Sequence, residues 1–478
     1  MKVSYFKFFL FITLLSCDKK AVDPILPEVE VNPIVDNSEI NRWIYLKMKD
    51  YYFWEKDLKD LNDTDIVLSP SDYFSSLLVK PGETDRFSWI QESSEELKNS
   101  LNGRSTIFGF KYKPFYANPE KTRIAFAITY TLKNSVAERN EIKRGDFITK
   151  VNGMDLTTEN YRTALNNETA TLTLGNYLKG TINHTDKTVA LTKEITQVDA
   201  LQYSTILNIL DKKIGYFVYT QFLTSSDKKV NELFGEFKTA GIDELIVDFR
   251  YNPGGYISSA EIISSLIVKN LNSNNLMTRQ IWNDKQMAGK NPKDFDTNFF
   301  TSRSLVGNLN NLTTLNRVYF LVSNGSASAS ELVINNLKPY MEVILVGEHT
   351  YGKNVGSITI EESSTPKKWN WGMQPIVLKS LNAAGESEYG TKQGFMPDIE
   401  VIDNILPYLQ FGDPDERLLN AALSNILGSV AFSNARKGVR KASGDSFVPT
   451  DTEAIYGEPL LDRKEMWITE FPWAKNKD

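Results

Sequence analysis

Short apolar runs alternate with helical stretches through the second half of the chain, and this alternation constrains the fold more than any other feature. The runs Leu245–Arg250 and Val318–Val322 are rich in β-branched and aromatic residues, as buried strands are. Each run is followed by small residues and then by a helical pattern, from about Ile257 in one case and over Leu332–Leu337 in the other. Strands that alternate with helices predict a layered α/β domain, which we assign to residues 198–428.

The composition limits the class of protein. The chain has 478 residues, a length that predicts two or three domains, with globular proportions of charged (24%) and hydrophobic (41%) residues. Its net charge of -6 and its lack of a long basic run argue against a nucleic-acid partner. One cysteine cannot form an internal disulfide, and one cysteine with two histidines argues against a metal site. We therefore expect no metal and no other cofactor.

The N-terminus has the pattern of a bacterial export signal. An apolar stretch, Phe8–Leu15, is too short to span a bilayer, and Leu14–Cys17 (LLSC) resembles a lipobox. The sequence therefore predicts a lipoprotein signal peptide over residues 1–17, lipidation at Cys17 and a proline-containing tether over residues 18–36. The expected location is the bacterial cell envelope, as a membrane-anchored lipoprotein that is periplasmic or surface-facing. The alternative is an ordinary signal peptide with an incidental thiol.

Aromatic residues at helical spacing mark the next segment. They are dense over Ile40–Trp54, which follows the candidate helix caps Asn37 and Ser38. Such a stripe either lines a groove or packs into a core, and core packing is the commoner outcome. We predict an N-terminal helical subdomain over residues 37–98.

Residues 99–197 change to short β-rich runs. Within them, Gly145-Asp146 leads into an apolar strand that ends at an Asn152-Gly153 hairpin turn, and this pattern resembles the core of a PDZ domain. Such a domain can hold the C-terminal carboxylate of a peptide with the backbone N–H groups of one loop. The resemblance places that loop at Ile107, Phe108, Gly109 and Phe110. The alternative is a β-rich domain that binds no peptide.

The turn after Val318–Val322 carries a candidate nucleophile. A strand that ends in small residues before a helix is the geometry that exposes a serine at a helix N-terminus, and Ser328 has this position. Because the chain has so little histidine, a lysine is the expected activator, and Lys353 is the candidate. The competing interpretation is that Ser328 and Glu331 form only a helix capping box.

Acyl transfer also needs a neutral base and donors for the oxyanion that develops on the substrate. A free lysine has a pKa near 10.4, and burial alone can lower it to about 7.5. The residues flanking Lys353 include no carboxylate that would hold the amine charged. Paired glycines after a strand let backbone N–H groups approach a carbonyl oxygen, so we expect the oxyanion donors at Gly254, Gly255 and Ala329.

Several motifs, in this order, resemble those of the C-terminal processing peptidases, also called tail-specific proteases. They are Asp248–Gly255 (DFRYNPGG), Ser326–Glu331 (SASASE), Thr350–Lys353 (TYGK) and Gly394–Asp398 (GFMPD). The resemblance implies a serine endopeptidase with a crotonase-like α/β core, into which the PDZ-like domain is inserted. It also implies an acyl-enzyme intermediate, with Ser328 as nucleophile and Lys353 as base, and the C-terminal tails of proteins or peptides as substrates.

The chain departs from the family pattern where a third residue would orient the lysine. Many members carry glutamine four residues after the lysine, where this chain has Ser357, and others carry an acidic residue eleven after the nucleophile, where it has Pro339. Ser357 is therefore our candidate orienting residue, and His349 is a rival base. The alternative function is a non-catalytic peptide-binding envelope lipoprotein on the same fold. Residues 429–478 form a tail to which the sequence assigns no structure.

Overall fold

The computed structural model describes residues 37–178, 180–435, 450–451, 465–469 and 471–474. The predicted signal peptide, Cys17 and the tether lie outside these ranges, as does most of the predicted C-terminal tail. Within the described ranges, no helix combines the length and the apolar character that a bilayer crossing demands.

The first described segment is helical. Its α-helices are Asn37–Tyr51, Pro70–Ser76 and Ser94–Leu101, and its 3-10 turns are Glu55–Asp57 and Leu61–Asp63. Ser69 and Ser93 cap the two shorter α-helices by accepting backbone N–H groups. Ile44, Tyr45 and Tyr52 are buried in the largest core of the protein. The aromatic residues of this segment are therefore mainly core, as expected.

A β-rich unit follows. Its strands are Arg104–Ile107, Phe110–Tyr116, Ile124–Thr131, Phe147–Val151, Met154–Asp155, Thr169–Leu178, Thr181–Thr192 and Glu194–Gln197, with a short helix at Val136–Arg139. All but the first and last strands form one sheet, in which Phe110–Tyr116 is an edge strand. Ile124–Thr131 lies inside this sheet, and its alternate residues face opposite sides. Phe126 packs into the core of the unit, whereas Ala127 packs with Tyr408 of a later segment.

The predicted mixed α/β fold is confirmed, and its centre is a six-stranded sheet. In order across the sheet, the strands are Leu201–Ile209, Lys212–Tyr219, Glu244–Asp248, Arg317–Val322, Glu342–Gly347 and Ile399–Glu400, and all pairs except the first are parallel. Phe320 faces the core that contains helices Asp227–Ala240, Ile257–Ile267 and Ala329–Leu337. Tyr319 faces the opposite core, which contains helix Arg417–Leu427.

A second six-stranded sheet includes residues from the end of the chain. In order, its strands are Gly254–Tyr256, Glu465–Ile468, Val355–Ile358, Ile376–Asn382, Leu276–Trp282 and Asp296–Asn298. Glu465–Ile468 runs parallel to both of its neighbours, and its residues Met466 and Trp467 are buried. Part of the segment to which the sequence assigned no structure is thus an interior strand.

The other described elements are short. They are the strands Trp89–Gln91, Ser302–Arg303, Gly307–Asn308, Ile360–Glu361, Gly372–Gln374, Ile405–Leu406 and Thr450–Asp451, the helix Asp284–Met287, and the 3-10 turns Thr224–Ser226, Pro292–Phe295 and Pro472–Ala474. Trp89–Gln91 pairs with Gly372–Gln374, which joins the end of the N-terminal segment to the α/β domain.

Candidate active site

Ser328 lies in the turn between strand Arg317–Val322 and helix Ala329–Leu337. Its φ is +63°, a conformation that residues other than glycine rarely adopt and that costs about 1–3 kcal/mol. The surrounding structure holds the residue in this state, and Ser328 is completely buried. Backbone strain at the start of a helix is typical of a nucleophile that must project from a tight turn.

The serines around Ser328 have a structural role that Ser328 lacks. Three hydroxyls donate to backbone carbonyls of the loop after Asp248: Ser323 to Arg250, Ser326 to Phe249 at 2.8 Å, and Ser330 to Asn252 at 3.0 Å. The Ser328 hydroxyl makes no hydrogen bond with any residue that the structure describes. Ser328 occupies the N-cap position, and the predicted capping box is present through Glu331, which accepts the Ser328 N–H at 2.7 Å, whereas the Ser328 hydroxyl itself makes no hydrogen bond with the described residues. The capping interpretation therefore does not account for this hydroxyl.

A buried carboxylate, Glu331, organises the backbone around Ser328. It accepts four hydrogen bonds, from Ser328 N–H (2.7 Å), Lys353 N–H (2.9 Å), Gly352 N–H (2.7 Å) and the Thr350 hydroxyl (2.5 Å). Burial raises the pKa of Glu331 to about 7, although these donors oppose the shift. The ionised carboxylate is the form that can accept all four bonds.

The two predicted catalytic residues come together at this carboxylate. The backbone N–H groups of Ser328 and Lys353 both donate to the same oxygen, Oε2 of Glu331. Lys353 is only 1% exposed, which provides the burial expected of a lysine that acts as a base. Its Nζ lies 4.8 Å from the centroid of the Phe87 ring.

The residue before the lysine must be glycine. Gly352 has a φ of +87°, and a Cβ atom at this position would lie 1.6 Å from the Thr391 carbonyl oxygen. The nearby GFMPD motif supports the same loop, because Phe395 N–H donates to the Thr350 hydroxyl oxygen at 2.7 Å. The conformation of the segment that carries Lys353 is therefore fixed from both sides.

The predicted oxyanion donors differ in their availability. Gly254 and Gly255 both have positive φ, and a Cβ on Gly255 would lie 2.2 Å from the Phe222 carbonyl oxygen. The Gly254 N–H donates to the Asn252 side chain at 2.9 Å, so it is already engaged. Ala329 is the first residue of its helix, where an N–H group has no partner within the helix.

The other predicted site residues have partners of their own. Ser357 lies in strand Val355–Ile358, and its hydroxyl donates to the Met466 carbonyl at 3.3 Å. The His349 Nδ1 lies 2.8 Å from the Thr350 carbonyl oxygen.

The predicted carboxylate-binding loop, Ile107–Phe110, belongs to the β-rich unit. Gly109 has a φ of +86°. The Phe108 carbonyl accepts from Ala137 N–H at 3.1 Å, and the Gly109 carbonyl accepts from Leu132 N–H at 2.8 Å. These bonds hold the loop against the short helix Val136–Arg139 and against Leu132, which precedes that helix.

A buried ion cluster connects the loop that follows Asp248 and contains Gly254 and Gly255, the glycine loop, to the β-rich unit. Arg250 pairs with Asp248 at 2.8 Å and with Glu416 at 2.6 Å. Arg144, from the β-rich unit, lies 3.4 Å from Glu416 and donates to the Tyr251 hydroxyl at 2.9 Å. Although burial disfavours a charge, the carboxylates hold the pKa of Arg250 above its ordinary value. Among the described residues, no group of three or more His, Cys, Asp or Glu side chains could hold a metal ion.

Sequence reasoning missed how Glu331 and the Arg86-Phe87 pair contribute to the site. The sequence predicts Glu331 only as part of a capping box, and its three-residue spacing from Ser328 is the available signal. No sequence signal links Arg86 to Gly352 or Phe87 to Lys353, because each contact joins distant parts of the sequence.

Two protein-family descriptions match the chain. Residues 213–401 match peptidase family S41, and residues 39–89 match the N-terminal domain of S41 peptidases. The first match contains the glycine loop, Ser328 and Lys353, and the second contains Arg86 and Phe87.

Relatives and a solved structure agree with this match. A CtpA-like serine protease of Staphylococcus aureus (strain COL) is 24% identical over 411 residues, which cover 80% of this chain and 71% of that protein. A carboxyl-terminal-processing protease of Synechocystis is 25% identical over 228 residues, so the match spans 48% of this chain and about half (47%) of that relative. The crystal structure of an S41 protease from Bacteroides fragilis has the same fold, with a TM-score of 0.68 at 24% identity, and the match covers 81% of this chain and 97% of that one. From these matches we conclude that the chain belongs to peptidase family S41, the C-terminal processing peptidases.

Proposed function

We propose that this protein is a serine endopeptidase that cleaves proteins or peptides near their C-termini through a dyad of Ser328 and Lys353. We further propose that residues 198–428 form a crotonase-like catalytic domain. In this proposal, residues 37–98 form a helical subdomain and residues 99–197 an inserted PDZ-like domain. The reaction requires no cofactor.

The observation that carries the proposal is the Glu331 oxygen that both Ser328 and Lys353 share. A single acceptor binds both backbone N–H groups, so the two residues are neighbours in a buried site. The Ser328 hydroxyl is unpartnered, whereas the flanking hydroxyls of Ser326 and Ser330 are occupied by backbone carbonyls. A buried hydroxyl without a partner, in a strained turn whose backbone shares an acceptor with the backbone of a buried lysine, fits a nucleophile and its base.

The first chemical step in this proposal is proton transfer from Ser328 to Lys353. The neutral amine accepts the hydroxyl proton as Oγ attacks the carbonyl carbon of the scissile peptide bond. A tetrahedral intermediate forms, with a negative charge on the former carbonyl oxygen. The N–H group of Ala329 is the proposed donor to this oxygen, and one such donor is worth about 3 kcal/mol. Gly255 lies in the strand that pairs with Glu465–Ile468, so its N–H can contribute only if that pairing loosens. Gly254 can contribute only if it releases Asn252.

The second half of the reaction reverses these roles. The Lys353 ammonium gives its proton to the leaving amine, the C–N bond breaks, and an ester joins the substrate acyl group to Ser328. Water then attacks the ester carbonyl carbon while Lys353 takes a proton from the water. The C–O bond to Ser328 breaks as the Lys353 ammonium returns this proton to Oγ, which releases the carboxylic acid and restores the serine and the neutral amine. Positioning by Glu331 serves both halves, because a proton passes between Lys353 and Ser328 Oγ in each of them.

Substrate access requires a movement, because Ser328 is fully buried in this structure. A scissile bond must come within bonding distance of Oγ, so some of the residues that cover the hydroxyl have to shift.

We assign recognition of the substrate tail to the PDZ-like domain. Its edge strand, Phe110–Tyr116, pairs on one side with Ile124–Thr131, and a peptide could add to the other side as a further strand. The loop Ile107–Phe110 leads into this strand, where backbone N–H groups would hold the terminal carboxylate. The clamped carbonyls of Phe108 and Gly109 support the proposal, because they keep the loop in one conformation.

We also propose that the protein is an envelope lipoprotein attached through Cys17. The support is the lipobox-like sequence at residues 14–17 and the proline-containing tether after it. Labelling cells with a radioactive fatty acid should mark the wild-type protein but not a Cys17→Ala variant. An unlabelled wild-type protein would contradict the anchor without touching the proposed chemistry.

A cleavage assay tests the dyad. Purified protein is incubated with an unfolded reporter that ends in an apolar tail, and the products are mapped by mass spectrometry. Ser328→Ala and Lys353→Ala should each abolish cleavage while the melting temperature stays near that of the wild type. Ser273→Ala and Lys392→Ala change the same residue types at exposed positions and should keep full activity.

Two outcomes would contradict the proposed function. Turnover by Ser328→Ala or Lys353→Ala would exclude the dyad, and activity lost only in His349→Gln would favour the rival base. A serine-directed phosphonate should label Ser328 in the wild type. A protein that binds tailed peptides but neither cleaves them nor reacts with the phosphonate would be the non-catalytic alternative.

A further inference from the structure

The N-terminal helical segment reaches the proposed base. Phe87 lies with its ring centroid 4.8 Å from Lys353 Nζ. Next to it, the Arg86 guanidinium donates to the Gly352 carbonyl and lies 4.6 Å from the centroid of the same ring. Two residues outside the catalytic motifs therefore contact the lysine segment.

The turn that carries this pair is firmly held. Asp85 is 2% exposed, and one of its oxygens accepts the N–H groups of Phe87 (3.0 Å) and Ser88 (2.9 Å). Its other oxygen accepts from the Tyr52 hydroxyl at 2.8 Å. The Ser88 hydroxyl oxygen accepts from Ile376 N–H at 2.8 Å, which ties the turn to the α/β domain. The Phe87 ring therefore has a defined position over the lysine.

We propose that Phe87 and Arg86 are positioning residues for Lys353, and that the Phe87 ring takes the part of the side chain that orients the amine in many family members. The inference rests on the proposed function, because it has meaning only if Lys353 is the base. Ser357 stands where many members carry glutamine, and its hydroxyl proton is directed to the Met466 carbonyl.

The two side chains act on Lys353 with opposite signs. The face of an aromatic ring carries a negative quadrupole potential, so the Phe87 ring stabilises the ammonium that forms when Lys353 accepts the Ser328 proton. The Arg86 guanidinium is a like charge, and it favours the neutral amine before the reaction. Arg86 thus favours the reactive form of the base, and Phe87 favours its protonated product.

Other ionisable groups lie around the lysine segment, and none of them is changed in the test. They are Glu331, which accepts the Lys353 N–H; Tyr351, whose ring lies 6.2 Å from that of Phe87; Tyr389, which is electrostatically coupled to Glu331; and His349 and Asp85 in the adjoining turns. A direct titration of the amine separates its behaviour from theirs.

Carbon-13 NMR of labelled lysine in the intact protein provides that titration, with the Lys353 signal identified by its loss in Lys353→Met. Phe87→Leu should move the titration midpoint to lower pH, because the ammonium loses its aromatic partner. It should also lower kcat roughly tenfold with little change in KM. Phe87→Tyr keeps the aromatic face and should stay close to the wild type.

The arginine variants should shift the midpoint the other way. Arg86→Gln removes the charge, so the midpoint should rise and the loss of activity at neutral pH should recover at higher pH. Arg86→Lys keeps the charge and should restore the wild-type midpoint. The matched controls are Phe53→Leu, a half-buried phenylalanine in the same segment, and Arg42→Gln, at an exposed arginine. Neither control should move the midpoint.

Opposite shifts for the two substitutions would support the inference, since a general loss of packing would not give them. Unchanged midpoints and kcat in Phe87→Leu and Arg86→Gln would overturn it, as would shifts in the same direction. If Phe87→Leu fails to fold, Phe87→Met takes its place in the comparison. Turnover by Lys353→Ala would instead remove the proposed function itself, so the two failures are distinguishable.

Discussion

Replacing Glu331 by glutamine tests whether one carboxylate holds the site together. Each Glu331 oxygen accepts two donors: Oε1 accepts from Thr350 and Gly352, and Oε2 accepts from Ser328 and Lys353. A glutamine side chain keeps one oxygen and presents an NH2 group in place of the other. In either orientation, two buried donors face another donor and lose their bonds.

The losses of stability and of activity in Glu331→Gln can be worked out from the two broken hydrogen bonds. An unsatisfied buried donor costs about 1–3 kcal/mol, so two of them cost about 4 kcal/mol. This is roughly a 10 °C fall in melting temperature for a domain of this size. If the whole loss falls on the relative placement of Ser328 and Lys353 in the transition state, kcat/KM drops roughly a thousandfold.

The same carboxylate should make activity depend on pH. Burial raises the pKa of Glu331 to about 7, so the group takes up a proton as the pH falls through that value. A protonated oxygen accepts fewer hydrogen bonds, and kcat/KM of the wild type should therefore fall below about pH 7. Glutamine does not titrate, so this part of the pH dependence should be missing in Glu331→Gln.

The assay compares kcat/KM on a tailed peptide and the melting temperature for the wild type, Glu331→Gln and Glu388→Gln. Glu388 is exposed, so its substitution controls for the change of residue type and should have no effect. Glu331→Gln with kcat/KM within about twofold of the wild type and an unchanged melting temperature would refute the assigned role of Glu331.

Three further predictions concern the supports of the site. Trp467→Ala should destabilise the protein by about 3–5 kcal/mol in urea unfolding, because Trp467 is buried in the C-terminal strand against Tyr256. The control Met396→Ala, at a 65% exposed position, should have little effect. Equal effects of the two substitutions would contradict the assignment of Glu465–Ile468 as a strand of the folded core. Arg144→Met should lower the free energy of unfolding by about 3 kcal/mol. This is near the low end for a broken buried ion pair, because Arg250 still pairs with Glu416. A loss no larger than that of Arg162→Met, at an exposed arginine, would show that the ion cluster contributes little to stability. Gly352→Ala should abolish cleavage, because the new Cβ would lie 1.6 Å from the Thr391 carbonyl oxygen. The control Gly385→Ala changes a glycine with a similar φ and open space around it, and this variant should stay active. Full activity of Gly352→Ala would show that the loop can rearrange.

The local sequence pattern was sufficient to predict those features whose structure is decided by adjacent residues. The small residues after Val318–Val322 predict a turn and a helix start, and Ser328 lies at that junction. The pair Asn152 and Gly153 predicts a hairpin turn, and both residues have the positive φ that such a turn requires. These features depend on the φ preferences and hydrogen bonds of a few adjacent residues.

The sequence pattern did not predict elements whose position depends on partners far away along the chain. The strand Glu465–Ile468 is short and stands in a polar tail, and its place between Gly254–Tyr256 and Val355–Ile358 depends on two sheet neighbours far from it in sequence.

The sequence by itself determined the α/β alternation, the position of Ser328 at a helix start and the motifs that resemble the S41 peptidases. All of these are read from the order and spacing of nearby residues. Only the tertiary structure decided that Glu331 joins the backbones of Ser328 and Lys353, and that Arg86 contacts Gly352 from 266 residues away in sequence. The physical reason is that a hydrogen bond or a ring contact depends on distance in space, and packing across the cores and the two sheets, rather than local preference, sets that distance.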